Sequence, residues 1–252
     1  MKATEAGLLA FLKKSPQFVI PIYQRTYSWT ERECRQLWDD IIRAGSDDAI
    51  SVHFIGSIVY IEAGLSQVSH QAPLLVIDGQ QRLTTVTLLL AALAETLGDA
   101  EPIDGFSARK LRNYYLLNPE EAGERHYKLL LSQTDKATLT SIVGQNEPPA
   151  ERSLRVMQNH ALFRDLIAAR RDSLAAVCKG LAKLVVVDIA LSRDQDNPQL
   201  IFESMNSTGR ELSQADLIRN FILMGLEPTL QTRLYEQHWR PMEVSFGQEA
   251  YN

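Results

Sequence analysis

Apolar and polar residues follow two rhythms along this 252-residue chain, one of strands and one of helices. Residues 83–97 are apolar nearly all round, which predicts a helix enclosed by the core rather than lying on its surface. Residues 54–61, broken by Gly56, and residues 74–77 predict two strands, and the polar stretch 62–72 suits a hairpin connection between them. Residues 183–189 are strongly β-branched and predict a strand that joins the same sheet. Residues 18–23 predict an extended segment, short or at an edge because Pro21 has no N–H for a ladder.

The helical rhythm predicts an amphipathic helix over 4–14 with Thr4 as N-cap. Thr30 and Glu33 have capping-box spacing and open a helix through Ile42, with Gly45 as its stop. Helical pieces follow near 108–117 and 136–143, then one long helix over about 150–179. A helix over 198–205 precedes another capped by Ser213 and Asp216, with Leu217, Ile218, Phe221 and Ile222 as its apolar face. The last helical segment is 230–239. The pattern divides the chain into an N-terminal α/β core (1–98), a mainly helical insertion (99–182) and a return strand with C-terminal helices (183–252). The fold class is α/β, of the α+β kind.

Composition narrows the setting. A hydrophobic fraction of 45% and a charged fraction of 23% are those of an ordinary soluble domain. The longest fully apolar run, 88–94, is too short to span a bilayer. Glu5 precedes the apolar patch 7–12 and Lys13 and Lys14 follow it, the wrong order for a secretory signal, so the expected location is cytoplasmic, with no membrane partner. Two distant cysteines, Cys34 and Cys178, and five scattered histidines offer neither a disulfide framework nor a zinc site. The net charge of −5 argues against a general nucleic-acid coat protein but leaves room for a local basic surface.

The chemistry concentrates in Asp78-Gly79-Gln80-Gln81-Arg82, set between a predicted strand and a predicted buried helix that begins with Thr84 and Thr85. Helix-start N–H groups attract anions, and an arginine adds a planar fork for phosphate oxygens. The carboxylate can place water, act as a base or hold Mg²⁺, and the amides can orient water or a ribose. A second cluster, Tyr23-Gln24-Arg25 followed by Tyr27 and Trp29, mixes rings with a guanidinium, a combination suited to a base, a sugar or DNA. Tyr27 and Trp29 equally suit the core. A third, around Asn206, Thr208 and Gly209, reads either as a polar loop closing over a nucleotide or as a plain helix-turn-helix connector.

Together these three segments resemble the N-terminal domain of GmrSD-type modification-dependent restriction enzymes. The hallmark Asp-Gly-Gln-Gln-Arg is met by residues 78–82. The upstream Pro-x-Tyr-Gln-Arg-x-Tyr-x-Trp pattern is met from Pro21 to Trp29. A downstream Phe-x-x-Asn-x-x-Gly-x-x-Leu pattern is met loosely from Phe202 and Asn206.

The resemblance implies a ParB/sulfiredoxin-like α/β core and hydrolysis of an NTP, either GTP or ATP, and Asp78 would place water or Mg²⁺ there. In it Asp78, Gln80, Gln81 and Arg82 would be catalytic. Tyr23, Gln24, Arg25, Gly79, Thr84, Thr85, Asn206, Thr208 and Gly209 would bind nucleotide. Tyr23, Arg25, Tyr27 and Trp29 would sense modified double-stranded DNA, either glucosylated hydroxymethylcytosine or a phosphorothioate backbone. A C-terminal HNH-type nuclease domain is expected to follow residue 252, and a homodimer fits the same picture. The sequence has no Gly-x-x-x-x-Gly-Lys-Ser/Thr loop, so the nucleotide site is not a P-loop. The residues alone also allow a modified-DNA reader that binds without turnover.

Overall fold

The computed structural model describes residues 1–62, 72–192, 196–197, 199–202 and 213–250. Its strands are β1 (Lys2–Gly7), β2 (Phe18–Val19), β3 (His53–Glu62), β4 (Leu74–Asp78), β5 (Leu129–Leu130) and β6 (Leu184–Leu191). They form one mixed sheet in the order β1-β6-β3-β4-β2-β5. β6 runs antiparallel to β1 and parallel to β3, β3 is antiparallel to β4, and β2 is parallel to both β4 and β5. This is the α+β class that the two rhythms predict. The β-branched strand does return to the sheet of the N-terminal segment, inserted between β1 and β3.

The helices are α1 (Leu8–Lys14), α2 (Glu31–Ser46), α3 (Gln80–Leu97), α4 (Ala108–Leu111), α5 (Gln133–Gly144), α6 (Leu154–Ala168), α7 (Leu174–Ala182), α8 (Gln214–Leu223), α9 (Pro228–Leu234) and α10 (Arg240–Ala250). Among the described residues no helix is long and apolar enough to cross a membrane. Successive strand residues face opposite ways. Ile58, Tyr60, Val76, Leu184 and Val186 therefore pack with Leu88, Leu89 and Leu90 of α3 in the main core. Val59, Ile61, Ile77, Ile189 and Leu191 form a second cluster on the other face with Phe202. α3 is buried around almost its whole circumference, as its sequence predicts.

Four expectations from the pattern change. Residues 4–14 are not one helix: Lys2–Gly7 is an edge strand, and Thr4 pairs with Asp188 of β6 instead of capping. Pairing along six residues of an open strand edge outweighs the weak local preference of this segment. Gly45 does not end α2. A Cβ on Gly45 would stand 1.8 Å from the Ala176 carbonyl oxygen, and one on Gly180 1.9 Å from that of Ile41, so the two glycines let the α2 and α7 backbones touch.

The long helix over 150–179 is two helices, α6 and α7, parted by a 3-10 turn at Arg171–Ser173 that frees α7 to dock on α2. α8 has its apolar face turned outward. Ile218, Phe221 and Ile222 are exposed, Phe221 by 69%, whereas Arg219 is 3% exposed and Asn220 2%. Arg219 is drawn inward because Tyr23, Asp216 and Glu243 all accept hydrogen bonds from it.

Candidate functional site

The strand-to-helix junction begins where β4 ends at Asp78. Gly79 then takes φ 96° and ψ 5°, a left-handed turn that L-residues avoid, and α3 starts at Gln80. A Cβ at Gly79 would stand 3.0 Å from the Ser57 carbonyl oxygen and 3.2 Å from Ile58 Cα, so close packing on β3 also calls for glycine. Among the described residues no side chain caps α3, so its first-turn N–H groups face the junction.

Arg82, one turn into the helix, reaches back to β3. Its Nη1 donates to the Ser57 carbonyl oxygen at 2.5 Å. Gly56 makes room for it: at φ +110° it breaks the strand register, and a Cβ there would lie 2.6 Å from the guanidinium carbon. Burial pulls the Arg82 guanidinium below its usual pKa, and the nearby Asp78 carboxylate pushes it back up. A guanidinium remains charged under such a pull. The result is a half-buried fixed cation with further donors, next to a carboxylate and an uncapped helix start.

The second motif lies against this junction. Gln24 Nε2 donates to the Ile77 carbonyl oxygen at 3.0 Å, so Tyr23-Gln24-Arg25 flanks the end of β4. Gln81 joins the two motifs from the other side. Its Oε1 accepts from the backbone N–H of Ser28 (2.8 Å) and Trp29 (3.1 Å), and its Nε2 donates to the Thr26 carbonyl oxygen (3.2 Å). Both ends of that amide are spent on holding residues 26–29. Gln80 is buried beside it.

Thr84 and Thr85 hydroxyls donate back to the Gln80 and Gln81 carbonyl oxygens, both at 2.8 Å, and sit inside the core. Tyr27 is also interior. Its hydroxyl meets Thr85 Oγ1 at 2.7 Å, and burial raises its pKa far above the usual phenol value. Tyr23 is buried, Trp29 packs against the core, and Arg25 is half-exposed. Thus Asp78, Gly79 and Arg82 meet at the junction and Gln24 holds the end of β4 beside them, whereas Tyr23, Tyr27, Thr84 and Thr85 are buried. Asn206, Thr208 and Gly209 lie outside the described residues.

Sequence reasoning missed two supports from the middle segment. Asn159 of α6 donates to the Tyr27 hydroxyl oxygen (3.0 Å) and to the Trp29 carbonyl oxygen (2.8 Å). Asp135 of α5 accepts from the Tyr27 N–H at 2.6 Å, and burial raises its pKa against that hydrogen bond. Neither stands in a motif; a polar residue at a buried helical position is the one signal that could have marked them.

Asp78 is the carboxylate at hand for a cation. Among the described residues no group of three or more His, Cys, Asp or Glu side chains could hold a metal. Mg²⁺ commonly needs only one or two carboxylates when phosphate oxygens supply other ligands, so Asp78 fits a metal that arrives with a nucleotide.

The family described as the N-terminal domain of GmrSD restriction endonuclease matches residues 8–223, a span that takes in the junction, the upstream motif and β6. This chain belongs to that family. It is accordingly a restriction or phage-defence protein, the N-terminal domain of a DNA-targeting enzyme that works with a further nuclease domain. No curated protein matches the chain.

Proposed function

We propose that the GmrSD-type domain binds and hydrolyses an NTP, GTP or ATP, and couples that hydrolysis to recognition of modified DNA. The observation that carries this reading is the Arg82 guanidinium laid over Gly56, beside Asp78 and the uncapped start of α3. Phosphoryl transfer asks chiefly for positioning and for stabilisation of charge on the transferred group. Arg82 and the first-turn N–H groups supply fixed positive potential for the phosphates, and Arg25 adds a second guanidinium from the neighbouring motif. Asp78 would place the attacking water and would hold a Mg²⁺ ion that arrives with the nucleotide, which would neutralise phosphate charge. Gln81 acts as a positioning residue, because its amide holds the segment that carries the upstream motif.

The test is phosphate release from GTP and from ATP, with and without duplexes carrying a modified base or a phosphorothioate linkage. Release that rises with modified duplex and disappears in a folded Arg82→Ala protein is expected. No release under any condition, alongside retained binding of modified duplex, would replace this reading with a binding module that has no turnover.

A further inference from the structure

The buried arginine of α8 uses all three of its guanidinium nitrogens. Arg219 Nε donates to the Tyr23 carbonyl oxygen at 2.7 Å, Nη1 donates to Glu243 and Nη2 to Asp216. Replacing a buried ion pair by apolar residues of similar volume is often neutral or stabilising. Stability alone therefore does not call for a cation at this place. A planar fork with fixed donor directions has a different use, because it orients whatever it binds.

What Arg219 binds is the backbone of the upstream motif. The Gln24 N–H donates to the Pro21 carbonyl oxygen at 3.0 Å and closes a turn there. Arg219 takes the Tyr23 carbonyl oxygen, and Gln24 Nε2 takes that of Ile77 at 3.0 Å. The Tyr23 ring packs with Leu223 of α8 and with Tyr235. The peptide between Tyr23 and Gln24 is thus held from α8 through its carbonyl and from β4 through the Gln24 side chain. Arg25 follows directly from it.

The clamp is anchored on its outer side. Glu243 of α10 accepts from Arg219, from the Tyr235 hydroxyl at 2.6 Å and from Trp239 Nε1 at 3.1 Å. Asp216 accepts from the Ser213 hydroxyl at 2.9 Å and N–H at 3.3 Å, which ties it to the start of α8. The Asp78–Arg82 junction has separate supports. Gly79 packs on Ser57 and Ile58 of β3, and Arg82 donates to the Ser57 carbonyl oxygen. The two motifs are therefore positioned by different parts of the fold.

We propose that Arg219 is a positioning residue of the nucleotide site, setting the Tyr23–Arg25 segment against the end of β4. The inference rests on the reading of that site as an NTP pocket. Asp78 and Arg82 keep their own supports on β3 and β4, so loss of the clamp weakens nucleotide binding and spares the chemical step. A merely structural role does the reverse. It lowers the active fraction, and with it the apparent kcat, at an unchanged KM.

The experiment measures phosphate release from GTP and ATP below the melting transition of each variant. Arg219→Met joined to Glu243→Gln removes both charges, keeps an acceptor for Tyr235 and Trp239, and is expected to fold. Arg219→Lys keeps the charge without the fork. Glu227→Ala is the control: Glu227 caps α9, so its loss loosens the same helices without removing the bond from Arg219 to Tyr23. The double variant should raise KM about tenfold at a near-native kcat, Arg219→Lys should fall between, and Glu227→Ala should keep the native KM. A native KM in the folded double variant overturns the proposal, and so does a fall in kcat alone. A double variant that fails to fold also overturns it, since stability then explains the cation. Native protein that neither binds nor hydrolyses GTP or ATP overturns the NTP reading instead. Amide exchange then decides the clamp by itself: the Gln24 N–H should exchange several-fold faster in the double variant than in Glu227→Ala, and equal rates overturn it.

Discussion

The guanidinium of Arg82 lies across the backbone of Gly56, so near that a methyl group on that glycine would stand 2.6 Å from the guanidinium carbon. A strand bulge and a helix start are thereby built to fit each other. Gly56→Ala is expected to push Arg82 off Ser57 and abolish nucleotide turnover. The positive φ adds a destabilisation of about 1–3 kcal/mol. Phosphate release and thermal melting, run beside Arg82→Ala, check this: Arg82→Ala should lose activity with a near-native melting temperature, whereas Gly56→Ala should lose both. Full turnover in a folded Gly56→Ala protein would contradict the arrangement.

Gln81 gives a contrasting expectation. Its removal leaves the Ser28 and Trp29 N–H groups without their acceptor. Each buried group left unpaired costs about 1–3 kcal/mol. Gln81→Ala should therefore lower the denaturant midpoint clearly. Gln81→Glu keeps the acceptor, loses the donor to Thr26, and should fall between native and Ala. An inactive Gln81→Ala protein of native stability would instead make the amide a chemical participant.

Arg219 bridges three elements, through Tyr23, Asp216 and Glu243, from an almost fully buried position. Removing one partner of a buried charge network typically costs about 3–5 kcal/mol. Arg219→Ala should approach that loss, and Arg219→Lys should recover little of it, because an ammonium cannot match the guanidinium's planar fork. Chemical denaturation reads both.

The capping box of α2 carries a pH signature. Desolvation pushes the Glu33 carboxyl up, but hydrogen bonds from the Thr30 side chain and backbone and from Arg32 outweigh it and hold the pKa at about 2, below the usual 4.5. The folded pKa is the lower one, so this stability is fully present above about 4.5 and is lost as pH falls toward about 2. Thr30→Ala should cost about 1 kcal/mol at neutral pH. Glu33→Gln should flatten the acid limb of the melting-temperature profile over that window; an unchanged limb would remove Glu33 from the account.

These cases mark how far the sequence could be read. The α2 capping box, the enclosed α3 and the Asp78–Arg82 junction were legible because each is decided within a few residues of itself. β1 was not, because Lys2–Gly7 is a strand only by virtue of β6, some 180 residues later. α8 misled because its period gave a face but not a direction, and the direction was set by the partners of Arg219. Gly45 looked like a helix stop, yet its reason lies across the contact with α7. At the site, the motif located Gln81 but not its task, which depends on where residues 26–29 return in space.

The position of β6 between β1 and β3 also constrains how the chain acquires its structure. During synthesis the N-terminal segment leaves the ribosome with β1 and β3 lacking the strand that joins them. Sheet closure waits for residues 184–191, which gives the fold a high contact order and a correspondingly slow, late folding step. A nascent chain stopped before residue 184 should remain protease-sensitive across β1 and β3, and extension past residue 191 should protect both.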